Sequence, residues 1–236
     1  MLRNWWNEVR IDAAEWCVGK VWQWRLGILI FCVYFAIRPM VTDPLAPSDL
    51  ASGAIKMLTL AIHEAGHVIF RFAGDYICAA GGTINQIVAP ILLAYSFYRQ
   101  RDYFAIAFAG AWLSFSLTDV AIYINDASAM ALPLTSLGDT GQAEHDWHYM
   151  LGVKGLLHYD TTIAAYVHAV AIVVLIPSLA LGAWCLYRMV VTKNEVIQVV
   201  DAVDTSIPPA AETPAPVEPS LSVDDDVELL PIDRAA

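Results

Sequence analysis

Charge is scarce in this sequence. Only 16% of its 236 residues are Asp, Glu, Lys or Arg, where an ordinary soluble domain carries about 25%. The few basic residues form no patch, which excludes nucleic acid as a partner. Cysteine is scarce as well. Cys17, Cys32, Cys78 and Cys185 are scattered and never spaced C-x-x-C, so neither a disulfide framework nor a cysteine zinc site is expected. They read as small buried hydrophobes. The first long apolar run begins only near Leu26, behind a charged, Trp-rich segment. A cleaved signal peptide is therefore not expected.

What the chain has in abundance is apolar surface. Hydrophobic residues make up 58% of it, and the mean hydropathy is +0.52. Its apolar runs are long enough to cross a bilayer. The expected fold is all-α: an integral membrane helical bundle of about five transmembrane helices with an interfacial N-terminal helix, its first partner the lipid bilayer. The net charge of −11 belongs mostly to the end of the chain. Residues 201–236 hold nine acids against one arginine, which leaves the remainder close to neutral.

Three regions follow. Residues 1–25 include "NWWNEVRIDAAEWCVGKVWQW", where Trp5, Val9, Ala13, Trp16 and Val21 fall near helical spacing. This reads as an amphipathic helix with its tryptophans at headgroup level. Residues 26–190 form the transmembrane domain, with spans near 26–41, 53–73, 84–98, 103–124 and 162–188. Residues 191–236 extend the last helix and end in an acidic, Pro-rich tail with too little apolar area to fold. Gly81-Gly82 marks a turn or a close backbone approach. Ala107, Gly110, Ala111 and Ser114 give the fourth span a small-residue face suited to close helix packing in lipid. The polar connection at 125–161 is long enough to be functional, and it holds an apolar helix candidate, "DWHYMLGVKGLL".

Basic residues set topology. In a five-span arrangement Arg99, Arg101, Arg188 and Lys193 share one side, with Arg3, Arg10, Lys20 and Arg25 on the other. The first group lies closer to its spans, so the tail is expected in the cytoplasm and the 125–161 connection opposite. The location expected is a bacterial inner membrane.

One stretch, "LTLAIHEAGHVIFRF" at 58–72, places ionisable groups inside a span, where they mark function. HEAGH is H-E-x-x-H. On a helix His63 and His67 share a face and can both turn ring nitrogens to one ion. Glu64 lies 100° round, beside the site, placed to take a proton from a zinc-bound water. The expected cofactor is Zn2+, the expected catalytic residue Glu64. Catalytic zinc takes a third protein ligand. "EHDWH" offers His145 and Asp146, although Asp146 also suits a helix N-cap, which leaves His145 the freer ligand. Asp119 and Asp126 share a face of the fourth span and are further candidates, with helix packing as the alternative for Asp119. His158 is a weaker candidate, and His168 reads as a core histidine. Asn85 and Gln86, near Pro90, serve either a substrate backbone or helix–helix hydrogen bonds.

HEAGH in a span, followed by Gly-Gly and a span with a polar, proline-broken start, resembles the site-2 protease family of intramembrane zinc metalloproteases. The resemblance covers residues 55–98, and "GGTINQIVAP" is similar to that family's glycine- and asparagine-bearing stretch. It implies His63 and His67 as zinc ligands and Glu64 as general base. The family draws its third ligand from the Asp of a Leu-Asp-Gly motif. No Leu-Asp-Gly occurs here, and "HDW" at 145–147 stands in its place. The expected function is a membrane-embedded zinc-dependent hydrolase, a site-2-protease-like metallopeptidase acting on a membrane protein or peptide. The alternatives are hydrolysis of lipid amides or esters by the same chemistry, or a non-enzymatic protein whose motif is a polar packing cluster.

Overall fold

The computed structural model describes residues 2–41, 50–132 and 145–206. Among them every regular element is helical: α1 (Leu2–Cys17), α2 (Gln23–Val41), α3 (Leu50–Phe70), α4 (Asp75–Arg99), α5 (Tyr103–Asn125), α6 (Asp146–Val153) and α7 (Asp160–Ser206). Short 3-10 turns precede α4 and α7, at Arg71–Ala73 and Leu157–Tyr159. The chain divides into two units, Met1–Val196 and Ile197–Ala236. The bundle and the site belong to the first. The Pro-rich end of the expected tail, from residue 207 on, lies outside the described residues.

The protein is an all-α membrane bundle. Four helical segments are long and apolar enough to cross a bilayer: Gln23–Val41, Asp75–Arg99, Tyr103–Asn125 and Leu157–Lys193. The fifth expected span is α3, which has comparable length but carries Lys56, His63, Glu64 and His67. The faces that α7 turns outward, with Tyr166, Val170, Val173, Ile176 and Tyr187 exposed, are apolar. Lipid is the solvent that suits them.

α5 is the central helix. Of its apolar window 56% is buried, against 22–28% in the other three. Its small residues make this possible. Ala107 and Ala111 are buried, Ser114 Oγ donates to Ala171 O of α7 at 2.8 Å, and a side chain at Gly110 would collide with Ser178. Asp102 opens the helix by accepting the Ala105 N–H at 2.9 Å, which satisfies one of the free donors of the first turn.

α4 begins at Asp75, nine residues before the expected span. Gly81-Gly82 is therefore helix interior rather than a turn. It is the close approach that needs glycine: a Cβ on Gly66 of α3 would fall 2.6 Å from the Gly81 carbonyl carbon. The turn between α3 and α4 lies at Gly74, whose φ of 89° suits a residue without Cβ. Pro90 is fully buried within an unbroken α4.

Two clusters fix the helix directions. Ala13 and Cys17 of α1 pack with Tyr103 and Phe104 at the start of α5 and with Cys185, Leu186 and Met189 of α7. Deeper, Phe35 and Ala36 of α2 meet Ala111 and Phe115 of α5 and Leu175 of α7, with Ile55 of α3 against them. So α2, α3 and α5 run one way, and α4 and α7 the other. This corrects the expected split of basic residues. Because α2 and α3 run parallel rather than as a hairpin, the α4–α5 turn returns to the end occupied by α1. There Arg101 Nη1 lies 2.6 Å from Asp12 Oδ1, and the Tyr103 hydroxyl hydrogen-bonds the same carboxylate. Arg10, Lys20, Arg25, Arg99, Arg101, Arg188 and Lys193 thus gather at one end of the bundle.

Candidate metal centre

The opposite end brings together the start of α4, the end of α5, the short α6 and the start of α7. His63 and His67 sit one helical turn apart on α3, their ring centroids 4.9 Å from each other. The two rings share a face because four residues nearly complete a 3.6-residue turn. His63 is buried and His67 half-buried.

α6 supplies the third group. His63 Nε2 is 3.1 Å and His67 Nε2 3.3 Å from the same oxygen, Oδ2 of Asp146. The three donor atoms all lie within 4.8 Å of one another. At zinc–nitrogen and zinc–oxygen bond lengths, two corners of a tetrahedral site stand about 3.3 Å apart. Among the described residues this is the only group of three or more His, Cys, Asp or Glu side chains so arranged.

Each ring is held from behind. His67 Nδ1 lies 2.8 Å from the Cys78 carbonyl in the first turn of α4, and His63 Nδ1 lies 2.9 Å from Gln86 Oε1. A carbonyl only accepts, so His67 Nδ1 carries a proton, and in the neutral ring the lone pair is then on Nε2. When both rings are neutral with the proton on Nδ1, three lone-pair atoms face one another. A cation at their centre resolves that repulsion, and an imidazole–imidazole–carboxylate donor set is one that zinc takes. The residues present therefore fit the ion. A proton can occupy the same place: burial pushes the Asp146 carboxyl up, but hydrogen bonds and charge from His63 and His67 outweigh it and hold the group below its ordinary range.

His145 and Asp146 exchange the roles expected for them. His145 is the N-cap of α6, its Nδ1 accepting the His148 N–H at 3.2 Å. Its ring stacks on Tyr123 at 4.2 Å, and its Nε2 points to Asp126, 3.5 Å away. Burial, opposed by Asp126, lowers its basicity, which suits an imidazole that must accept at Nδ1. His145 therefore stands outside the ligand group, and Asp146, freed from capping, turns into it. Asp126 closes the end of α5 by accepting the N–H groups of Ala131 and Leu132 at 2.9 and 3.0 Å. Asp119, one turn deeper than Tyr123, accepts from Gln86 Nε2 at 3.0 Å. Neither carboxylate belongs to the ligand group. The His158 ring lies tilted against that of its neighbour Tyr159, and both lie outside it as well.

Glu64 is half-buried beside the pair. It lies within electrostatic reach of His67 and Tyr123. No hydrogen bond or ion pair with the described residues engages its carboxylate.

Three supporting groups were not assigned to the site from the sequence. Tyr123 accepts the Asp146 N–H at 3.2 Å. Trp147 Nε1 donates to Thr83 Oγ1 at 3.2 Å and ties α6 to α4. Gly82 lets the His63 ring lie against α4: a Cβ there would stand 2.6–2.7 Å from two ring carbons. The Gly-Gly pair was the signal for this last contact, as a close approach of backbone to a neighbouring group.

Comparison with protein-family models, curated proteins and solved structures returns no match.

Proposed function

We propose that this protein is a membrane-embedded zinc-dependent hydrolase of the metallopeptidase type. The observation that carries the reading is the convergence of His63 Nε2, His67 Nε2 and Asp146 Oδ2, each ring backed at Nδ1. Beside them stands Glu64, a carboxylate without a hydrogen-bond partner among the described residues. These three residues would hold the ion. When bound, zinc supplies Lewis acidity, making water more acidic and a carbonyl more electrophilic.

The chain's own residues do the rest. Glu64 accepts the proton released from water and returns it to the departing amine. Asp146 supplies one negative charge to a site otherwise built from neutral imidazoles. Tyr123 and the Trp147–Thr83 hydrogen bond keep α6, and with it Asp146, against α3 and α4. The site lies within one or two turns of the bundle end, since Cys78 is in the first turn of α4 and Tyr123 in the last of α5. Water reaches such a depth more readily than the middle of the bilayer. A site-2-protease-like activity on membrane proteins or peptides is the form of this chemistry that the HEAGH motif favours.

The gathering of basic residues at the α1 end sets the orientation we propose. That end is cytoplasmic by the bias of Lys and Arg toward the inner face, and the metal centre opens to the other side. A bacterial inner membrane is the setting proposed.

Metal analysis of the purified protein tests the reading. One zinc per chain is expected, and its loss in the His63→Ala, His67→Ala double variant. Glu64→Gln is expected to keep zinc and lose turnover of a fluorogenic peptide substrate. Zinc retained by the double variant, or normal turnover by Glu64→Gln, would overturn the assignment.

A further inference from the structure

We infer that Gln86 is a positioning residue for His63, and that the Ser116 carbonyl and the Asp119 carboxylate together fix which way Gln86 faces. The inference deepens the zinc reading and rests on it for its consequence.

The two ends of a glutamine amide are nearly the same shape, so its partners decide its orientation. Gln86 is 4% exposed. One end lies 3.4 Å from the Ser116 backbone carbonyl and 3.0 Å from Asp119 Oδ2; the other lies 2.9 Å from His63 Nδ1. A backbone carbonyl only accepts. The NH2 end must therefore face Ser116 and Asp119, whatever the proton count on Asp119. The amide oxygen must then face His63, and His63 Nδ1 must donate to it. In the neutral ring that leaves the lone pair on Nε2, which points at Asp146. Were the amide reversed, its oxygen would crowd an acceptor-only carbonyl. Its NH2 would select the other tautomer of His63, with a proton on Nε2 where the metal should bind.

This accounts for an acid in the apolar interior of α5. A metal-bound histidine commonly gives its second N–H to a carboxylate or carbonyl that fixes its tautomer and raises its basicity. For His67 that partner is the Cys78 carbonyl. For His63 an amide stands between, with the carboxylate of Asp119 one step further out. Asn85, the neighbouring amide on α4, does something else. Its Nδ2 donates to the Ile62 carbonyl at 2.6 Å and ties α4 to α3 without touching a ligand. The two adjacent amides thus separate positioning from packing.

The test uses the full-length protein in detergent. Zinc affinity is measured by chelator competition in wild type, Gln86→Leu, Asp119→Asn and Asn85→Leu. The tautomer of His63 is read from its imidazole nitrogen chemical shifts in the metal-free wild type. Loss of a supporting partner typically weakens metal binding about 10–100-fold, and that loss is expected for Gln86→Leu. Asp119→Asn is expected to weaken binding by less, and Asn85→Leu to leave it unchanged. The metal-free His63 ring is expected to carry its proton on Nδ1. Wild-type affinity in Gln86→Leu, an equal loss in Asn85→Leu, or a proton on Nε2 with none on Nδ1 would overturn the inference. Unchanged affinity in Asp119→Asn would overturn the part given to Asp119. Absence of zinc from the wild type would remove the proposed function, and the tautomer measurement would still decide this inference.

Discussion

Asp146 Oδ2 lies 3.1 Å from His63 Nε2, although one residue opens a short helix in a polar connection and the other sits inside an apolar one. This contact joins the two parts of the chain that carry chemistry. It makes the proposed metal centre a property of the folded bundle rather than of the HEAGH helix alone. Removing Asp146 should then act on the metal, and removing its neighbour should not. Asp146→Ala is expected to weaken zinc binding more than about 100-fold, beyond the range for residues that only support a ligand. His145→Ala is expected to retain zinc and to cost about 1 kcal/mol of stability as a lost helix cap, read as a lower Tm in detergent. Zinc lost in His145→Ala and kept in Asp146→Ala would reverse the assignment.

A single methyl group should unseat His63. In Gly82→Ala the new carbon would stand 2.6–2.7 Å from two carbons of the ring, where contact distances are about 3.5–4.0 Å. The ring must move, and overpacking of this kind costs about 1–3 kcal/mol. Zinc affinity is expected to fall at least about tenfold. Gly110→Ala, which collides with Ser178 far from the proposed metal centre, is the control: stability should drop with zinc affinity intact. Equal affinities in the two variants would show that Gly82 does not shape the site.

The bundle was legible because its signals are local. Apolar runs mark the spans, and an i, i+4 histidine pair shares a face in any helix. What connects distant segments was not. Whether His145 or Asp146 turns to the His63–His67 pair depends on which of them caps α6, and both types of side chain can cap. Asn85 and Gln86 are indistinguishable in sequence, yet the roughly 100° between them sends one to a backbone carbonyl of α3 and the other to His63. The topology was misread for a related reason. Alternation of basic residues assumes that successive helices reverse, and α2 and α3 do not.

Thr83 and Trp147 test how α6 is held. Their hydrogen bond, at 3.2 Å, is a side-chain link between α6 and α4 that involves none of the proposed metal ligands. Thr83→Val keeps the shape and deletes the acceptor, leaving a half-buried indole N–H without a partner. A stability loss of about 1–3 kcal/mol is expected, together with a modest weakening of zinc binding because Asp146 rides on the same helix. Trp147→Phe, which removes the donor as well, should restore part of the zinc affinity in the Thr83→Val background. Independent, additive effects of the two substitutions would show that they are not coupled.

Metal removal should loosen α6 and leave α5 alone. Asp146 bridges α6 to α3, and in the proposed reading a bound metal takes the place of the protons that otherwise link it to the two rings. Binding energy of this kind appears as added stability of the elements that supply the ligands. α6 is only eight residues long, too short to persist without its contacts. α5, the most buried span, draws its stability from packing on both sides. Hydrogen exchange of the zinc-loaded protein, compared with the same protein after chelation, is expected to show faster exchange at residues 146–153. The interior of α5 should be unaltered. Glu64→Gln should behave as wild type in this measurement, because Glu64 supplies no ligand. Exchange in α6 that ignores chelation would mean that Asp146 holds no metal.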